Sequence, residues 1–523
     1  MMPTTQRPGI VSRIMRALVA KPAPRQVQQR NYAAAQVNRL THGWSVHNSS
    51  ANADIFRSLD KLRARSRLLA QNDEYVKRWL SMVCTNVVGP AGFRFQARVY
   101  NSPGQPDQLG NDAIEAAWQR WSKVCDVAGR SRLIDLLQIN IKAVARDGEC
   151  LIHLVRGAEA GNPFGLALQL LDVNRLDTQL QRPEAPGVNA IRMGIEVNRY
   201  NRPLAYWLRI KNPGDVYGGV VAGASLSTHE RFDAADIIHA FISDDAEQVR
   251  GVPWAHAAMM RLNNRGGYEE AAIIAARVGA SKMGFFTTPD GQAEVLSTGK
   301  IDDGTEGDEQ PLAMDADAGT FQSLPEGVQF TPFNPEYPTA MFADFIKANL
   351  RGTASGLGVA YHALANDLEG VSFSSIRSGT LEERDSWMVI QEWFVGAVME
   401  RIHTEFMAAA LSFGQITMPN GSALPLAKRE KFMAHTFQGR RWEWVDPRAD
   451  IEADINAINA GLKSPQSVAA KLGLDYEDLL IEIKAAADMR KRLGVELAGT
   501  PNPQQLAAAA GAAAGQANAT PKE

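Results

Sequence analysis

Residues 341–412 decide how the rest of this chain must be arranged. They open as a helix, MFADFIKANLRGTASGLG (341–358), and continue into a loop, VAYHALANDLEGVSFSSIRSG (359–379). The third segment, TLEERDSWMVIQEWFVGAVMERIHTEFMAAAL (380–411), predicts a helix long enough to cross a whole layer of the molecule. Its apolar residues recur every three or four positions, as Trp387, Ile390, Phe394, Val398, Ile402 and Phe406. This arrangement is mechanical, and it contains no obvious active site.

The composition is that of a globular protein, but the charges are unevenly spread. Of the 523 residues, 45% are hydrophobic and 22% are charged, and the net charge of −3 gives no overall signal for binding a polyanion. Residues 1–50 carry seven basic residues and no acid, which predicts a mobile basic arm, although a transit peptide shares this pattern. Residues 288–326 carry ten acids against one base, Lys300. This asymmetry predicts that different segments meet different partners.

The cysteines and the hydropathy narrow the cellular setting. Cys84, Cys125 and Cys150 are far apart and lack a CxxC spacing, so we expect no disulfide framework and a reducing compartment. No apolar run approaches the roughly 18 residues that a membrane-spanning helix needs. We therefore expect no membrane partner.

Residues 51–250 predict an α+β region with a largely antiparallel sheet. Several apolar runs after residue 148 are separated by glycine, proline and asparagine turns, which is typical of short antiparallel strands. Asp54 is positioned to cap the first helix. The elements predicted before these strands are a helix over 54–88, a strand over 93–99, and helices over 112–126 and 132–146.

The second half of the chain is mainly helical. Pro253 predicts the start of a helix that runs to residue 283, and Gly266-Gly267 inside it predicts a kink or a close helix contact. A small acidic, β-rich insertion then precedes residue 341. Predicted helices near the C-terminus cover 447–460, 465–472 (capped by Ser464) and 476–495 (capped by Asp475), before a disordered tail.

The sequence contains no complete catalytic motif. Gly299-Lys300 resembles the end of a phosphate-binding loop, but Glu294 occupies the position that the loop needs as glycine. Ser58 and Lys61, like Ser297 and Lys300, have the spacing of a Ser–Lys hydrolase, a pattern short enough to occur by chance. The histidines are scattered, and a turn followed by a strand edge explains Asp147 and Glu149 without catalysis. We expect neither an enzyme nor a cofactor or metal site.

Three features remain that could carry function. Lys347 and Arg351 share one helix face, which is either a solvated or intersubunit face or part of a positive ring that faces a polyanion. The loop within 362–373 interrupts a long helical unit, and such loops are often functional. An acidic run is either a solvated loop or a surface for a basic partner; it consists of Asp302, Asp303, Glu306, Asp308 and Glu309.

The order of these elements resembles the bacteriophage portal proteins, specifically the lambda-type family. The resemblance covers about residues 50–495, and it rests on several motifs that occur in the right order. They are LRARSRLLAQND (62–73), NVVGPAGFRFQ (86–96), ARDGECLIHLVR (145–156), LQLLDVNRL (168–176), QVRGVPWAHAAMMRL (248–262), GLGVAYHALANDLEGVSFSSIRSG (356–379) and WEWVDPRADIEADINAINAGLKSPQSVAAKLGLDYEDLL (442–480).

The resemblance implies a portal fold in which twelve subunits form a ring at one capsid vertex. Viral DNA would pass through this ring during packaging and ejection. The implied partners are other copies of the chain, the terminase large subunit, a head-completion or connector protein, and the major capsid and scaffold proteins. The virion is the implied location, after assembly in the bacterial host cytoplasm. The implied parts are an N-terminal arm (1–50), wing (51–250), stem helices (251–283 and 341–358), clip (284–340), tunnel loop (359–375), tunnel helix with wing return (376–446), crown helices (447–497) and tail (498–523).

The resemblance also assigns roles to the three features. Lys347, Arg351, His362, Asn366 and Ser372 would line the DNA channel. The acidic run would receive the packaging motor and the connector. Two alternatives stay open at this point: a Ser–Lys hydrolase or maturation protease, and a helical scaffold or adaptor that does not bind DNA.

Overall fold

The computed structural model describes residues 48–213, 228–280, 284–287, 329–332, 341–369, 372–442 and 447–494, with a few residues between 39 and 46. The chain divides into two units, Met1–Ser50 and Ala51–Glu523. Most of the basic arm, all of the tail, the acidic run, and Ser297 with Lys300 lie outside the described residues. In the first unit, the His42 ring forms a hydrogen bond with the Arg39 carbonyl at 3.0 Å.

Four helices open the second unit: α1 (Ala51–Asn72), α2 (Glu74–Val87), α3 (Gln108–Trp121) and α4 (Leu133–Asp147). The prediction of a single helix over 54–88 is wrong, because Asp73 separates α1 from α2. Its carboxylate accepts hydrogen bonds from the main-chain N–H groups of Tyr75 (2.9 Å) and Val76 (3.0 Å). Asp73 thus accepts hydrogen bonds from N–H groups that the first turn of α2 would leave without partners. Asp54, the predicted cap of the first helix, lies instead within the first turn of α1, which begins at Ala51.

The strands of the first half are β1 (Arg94–Ala97), β2 (Tyr100–Ser102), β3 (Gln105–Pro106), β4 (Glu149–Arg156), β5 (Leu166–Leu171), β6 (Ala190–Arg192), β7 (Ile195–Val197), β8 (Pro203–Arg209), β9 (His229–Asp233) and β10 (Ile237–Phe241). One sheet has the order β10-β4-β5, and a second has the order β6-β7-β8-β9. All pairings within both sheets are antiparallel, as predicted. The sequence pattern missed β9, a short strand whose three charged residues, Glu230, Arg231 and Asp233, are exposed.

A pair of helices forms the next layer: α5 (Met259–Ala280) and α6 (Phe342–Leu357). Strands β11 (Gly284–Thr287) and β12 (Gln329–Pro332) pair antiparallel between them in the sequence. Helix α5 begins later than Pro253, because residues 254–258 form turns. Of the kink or close contact predicted at Gly266-Gly267, the close contact does not form within the described part of the chain, since a Cβ at either position would meet nothing there within 4 Å. Instead, α6 comes close to the segment before α5 at Gly356, where a Cβ would lie 3.2 Å from the Ala258 Cβ.

The stretch 341–412 folds much as its pattern predicts. After α6 come α7 (Tyr361–Ala365), α8 (Phe373–Phe394), a π-helical turn (Val395–Met399) and α9 (Glu400–Ser412). The last three follow one another directly and form the long helix. Its predicted apolar stripe is confirmed, because Trp387, Phe394, Val398, Ile402 and Phe406 are all buried and Ile390 packs against the same core.

The long helix lies against the first half of the chain. Trp118 of α3 meets Phe406 edge to face, with ring centroids 5.1 Å apart. The Gln391 side-chain amide donates to the Asn86 carbonyl at 2.7 Å, where α2 ends. One continuous apolar core therefore joins the long helix to α2, α3, α4 and the β4 sheet.

The C-terminal part returns to the start of the chain. Strand β13 (His435–Gln438) follows the short helix α10 (Arg429–Phe432) and pairs antiparallel with β1. The last helices are α11 (Pro447–Asn459), α12 (Pro465–Lys471) and α13 (Tyr476–Leu493). Ser464 caps α12 and Asp475 caps α13, as predicted.

Candidate functional site

Helix α6 and the loop after it meet through charged side chains. The Lys347 ammonium lies 2.7 Å from the Glu369 carboxylate and 3.7 Å from that of Asp367. The hydrogen bond to Glu369, together with both negative charges, raises the pKa of Lys347. The helical spacing correctly places Lys347 and Arg351 on one face, but only the fold brings the acids of the loop onto that face.

Arg351 belongs to the same group of side chains. Its guanidinium lies over the Tyr361 ring, 5.5 Å from the ring centroid. The Tyr361 hydroxyl donates to Asp367 at 2.7 Å, and this bond lowers the pKa of that carboxyl. We call Lys347, Arg351, Tyr361, Asp367 and Glu369 the loop network. The charges of its two basic and two acidic groups cancel. The surface therefore has little net charge, although it presents a lysine and an arginine that can contact phosphate.

The other predicted channel residues lie beside the loop network in the sequence but serve local structure. Asn366 adopts a left-handed conformation (φ +54°) that ends α7. Ser372 caps α8, where its hydroxyl accepts from the Ser375 N–H at 3.2 Å. His362 lines a cleft of about 340 Å³ with Arg78 and Trp387.

The hydrolase spacing that falls in the described part of the chain has an ordinary explanation. The Ser58 hydroxyl donates to the Asp54 carbonyl at 2.6 Å, a bond within one turn of α1. Because this hydroxyl is occupied by its own helix, no observation favours it as a nucleophile.

A second group of charges, which we call the Glu149 cluster, is buried in the first half. Glu149 is fully buried and contacts Arg250 at 2.6 Å and Arg63 at 2.5 Å. It also accepts from the His239 ring (2.9 Å) and from the Gly251 N–H (2.9 Å). Burial alone would raise the pKa of Glu149, but Arg250, Arg63 and His239 outweigh it and hold the pKa well below its usual range.

Asp147 extends the buried charges toward the surface. Its carboxylate contacts Arg67 at 2.8 Å and Arg146 at 2.7 Å. The interpretation of Asp147 and Glu149 as a simple turn and strand edge is therefore incomplete. Asp147 fastens α1 to the end of α4, and Glu149 fastens α1 to the sheet. Gly148 lies between them with φ +92°, and a Cβ there would lie 2.4 Å from the Val252 carbonyl carbon. Two acids around a glycine in an apolar setting were the signal for this junction.

The described residues contain no candidate metal cluster and no candidate membrane-spanning helix. In that part of the chain no group of three or more histidine, cysteine, aspartate or glutamate side chains is placed to hold a metal ion. No helix there is both long and apolar enough to cross a membrane. The three cysteines, Cys84, Cys125 and Cys150, are buried free thiols.

Comparison with known proteins assigns the family. The family model described as phage portal protein, lambda family, matches residues 37–391. The chain belongs to this family. The probable portal protein of Halomonas phage phiHAP-1 is 31% identical over 489 residues, covering 92% of this chain and 90% of that protein. Portal protein B of Escherichia phage lambda is 19% identical, covering 89% and 90% of the two chains.

Solved structures with lower similarity come from gene transfer agent (GTA) particles. A chain from the neck of an empty GTA particle has a TM-score of 0.41 and 13% identity, covering 79% of this chain and 93% of that one. A chain from the neck of a native GTA particle has a TM-score of 0.38 and 14% identity, covering 82% and 95%. The assignment rests on the family model and the sequence relatives. As a member of the portal family, the chain is a virion protein that forms the channel for packaging and ejecting phage DNA.

Proposed function

We propose that copies of this chain assemble into a ring of twelve, as the family resemblance implies, and that double-stranded DNA passes through its centre without sequence-specific contacts. The match of the portal family model over residues 37–391 carries this proposal. A ring would also bury large apolar side chains that are exposed to solvent in a single copy.

Several such side chains lie on the helices of the second half. Ile273 on α5 is 60% exposed, Val389 on α8 is 72% exposed, and Ile481 on α13 is 58% exposed. Scattered exposed apolar residues are normal, but a ring would cover those that face the next copy and so gain stability. This exposure supports self-assembly through the long helices.

The proposed parts of the ring are those that the family resemblance implies. Residues 51–250 are the wing, 251–283 and 341–358 the stem helices, 284–340 the clip, 359–375 the tunnel loop, 376–446 the tunnel helix with its return to the wing, and 447–497 the crown. The pairing of β13 with β1 supports the return to the wing. The left-handed Gly358 that ends α6 supports a boundary between stem and tunnel loop.

Lys347, Arg351, His362, Asn366 and Ser372 are the proposed residues nearest the DNA. A channel must let DNA slide, and each lysine or arginine that binds a phosphate firmly adds affinity by releasing a counterion. Pairing Lys347 with Glu369 limits this affinity. The balanced loop network therefore supports a surface that guides DNA without holding it.

The acidic run of the clip, Asp302, Asp303, Glu306, Asp308 and Glu309, is the proposed docking site for the terminase large subunit and then for a head-completion protein. Its charge would steer basic partners and make docking sensitive to salt. Contacts with capsid and scaffold proteins belong to the same proposal, as does assembly in the host cytoplasm. The motor would supply ATP hydrolysis, and the chain itself would act as a structural, non-enzymatic part.

Electron microscopy of the purified full chain tests the ring directly. Class averages should show a ring with a central hole, and symmetry analysis should give its subunit number. A chain that stays monomeric or dimeric at all concentrations, without rings, would overturn the proposal.

A charge-neutralised variant tests the DNA contacts separately. Replacing Lys347→Gln and Arg351→Gln together should change DNA packaging or retention in assembled capsids while rings still form. The control is Arg65→Gln, which removes one charge from an exposed position on α1. Unchanged packaging in the double variant would remove the channel-contact role and leave the ring proposal intact.

A further inference from the structure

A cleft of about 440 Å³ lies between the start of the long helix and helices α11 and α12. This volume is within the range of small-molecule sites, roughly 300–1,000 Å³. Five basic and three acidic side chains line it. The excess of positive charge makes the cleft different from the balanced loop network.

The acids of the cleft are mostly committed to other basic residues. Asp450 contacts Arg377 at 2.9 Å, and Asp454 contacts Lys463 at 2.6 Å. Asp385, the third acid, is exposed. Arg384 and Arg441 therefore face the cleft without a carboxylate within salt-bridge distance among the residues described.

Arg384 is the least satisfied of these side chains. Its Nε is buried and has no hydrogen-bond partner in the described part of the chain. Burial and the nearby charge of Arg440 lower the pKa of Arg384. A buried guanidinium N–H without an acceptor is costly, and an anion in the cleft would relieve that cost.

Two guanidinium groups lie near the ring of Trp442, which lines the cleft. Arg384 lies 5.8 Å and Arg440 lies 5.9 Å from the centroid of its ring. Arg440 donates to the Thr85 carbonyl at 2.7 Å, and Arg441 donates to Gln391 at 3.0 Å. Both are thereby fixed in position through neutral acceptors, and among the described residues neither has a carboxylate within salt-bridge distance. Of the two, Arg441 lines the cleft.

From this geometry we infer that the cleft is a binding site for a phosphate group, with Arg384 and Arg441 as its principal ligands. Guanidinium groups match the shape and charge of phosphate oxygens and hold them through paired hydrogen bonds. Phosphate could come from a free anion or from the backbone of DNA. The second source rests on the proposed channel function, whereas the first does not.

Titration of purified full-length rings with inorganic pyrophosphate and, separately, with a fluorescent DNA duplex tests the site. Arg384→Gln should weaken pyrophosphate binding about tenfold, because a charge-assisted bond is lost. Arg384→Lys keeps the charge but loses the paired hydrogen bonds, so its affinity should lie between those of the unmodified chain and Arg384→Gln. Arg65→Gln should match the unmodified chain. If the duplex uses the cleft, Arg384→Gln should also reduce the slope of log K against log salt by about one.

The outcomes separate the possible occupants. Arg384-dependent binding of pyrophosphate alone supports the site with a free anion, and Arg384-dependent binding of the duplex supports it with DNA. Equal binding by Arg384→Gln and Arg65→Gln would overturn the inference. The inference is also overturned if the unmodified ring does not bind pyrophosphate and Arg384→Gln does not form rings. In that case a carboxylate of the neighbouring copy becomes the expected partner of Arg384. Rings are scored by electron microscopy, so failure of the ring proposal is seen independently of phosphate binding.

Discussion

The Glu149 cluster and the loop network contain the same kinds of charged groups in opposite surroundings. Glu149 is 0% exposed and Glu369 is 79% exposed, although each contacts a cation at less than 3 Å. In water the ions of an exposed pair keep most of their hydration and are screened by salt, so the pair contributes little. In the interior, removing one partner leaves the other charge unpaired in a medium that cannot solvate it.

This contrast suggests different tasks for the two regions. The Glu149 cluster joins α1, β4, β10 and the segment that leads into α5, so it can fix the direction in which α5 leaves the sheet. The loop network can rearrange at low cost, which suits a segment proposed to lie next to moving DNA. Substitutions at Glu149 and Glu369 test this difference directly, and substitutions at His403 and Asp73 test two further buried groups; they are given in order of decreasing effect.

Glu149→Gln should lower the free energy of unfolding by about 3–5 kcal/mol, because Arg63 and Arg250 would stay buried without a carboxylate. Urea-induced unfolding of the full chain measures the change. A loss no larger than that of the same substitution at Glu369 would show that burial does not distinguish the two regions.

His403→Phe should remove part of the dependence of stability on pH. Burial, together with the neighbouring His435, lowers the pKa of His403 to about 3. Above about pH 6.5 the His403 ring is neutral in both the folded and the unfolded chain. Between this pH and about pH 3 the ring binds a proton in the unfolded chain but not in the folded chain. Stability of the unmodified chain should therefore fall by about 1–2 kcal/mol between pH 6.5 and pH 5 through this residue.

The measurement for His403 is the difference in unfolding free energy between the unmodified chain and the phenylalanine variant at both pH values. Taking the difference cancels the contributions of the other histidines to a first approximation. Parallel pH profiles for the two chains would contradict the role assigned to His403.

Asp73→Ala should cost about 1–2 kcal/mol, since it removes the cap of α2. Asp73 also contacts Arg265 at 2.6 Å, but Arg265 keeps Glu74 and Glu269 as partners. Asp73→Asn retains a capping side chain and should lose less. Thermal unfolding of the two variants compares them, and equal losses would show that the charge, and not the cap, is the important part.

Glu369→Gln should leave the melting temperature unchanged within error, because its pair with Lys347 is exposed. Its effect should appear instead in DNA retention, where an unpaired Lys347 is free to bind phosphate. A marked loss of stability in this variant would mean that the loop network, like the Glu149 cluster, is structural.

Local patterns in the sequence predicted much of the fold. The stripe from Trp387 to Phe406 predicted the long helix and its buried face, because a helix has a fixed period and one face must be buried. Ser464 and Asp475 predicted their helix caps, because capping depends on residues only two or three positions away. Asp73 was missed as a cap because the apolar pattern continues through it, and pattern alone does not show where a helix breaks.

The candidate site divides in the same way. The spacing of Lys347 and Arg351 determined that they share a face, and the order of motifs determined the portal family. Only the tertiary structure decided that Asp367 and Glu369 neutralise this face. It also decided that Arg384, near Trp442, has no carboxylate within salt-bridge distance among the described residues. It likewise placed Glu149 beside Arg63 and Arg250, which are far from it in the sequence. Helical period and capping act between near neighbours, whereas burial and charge pairing depend on which distant segments the fold brings together.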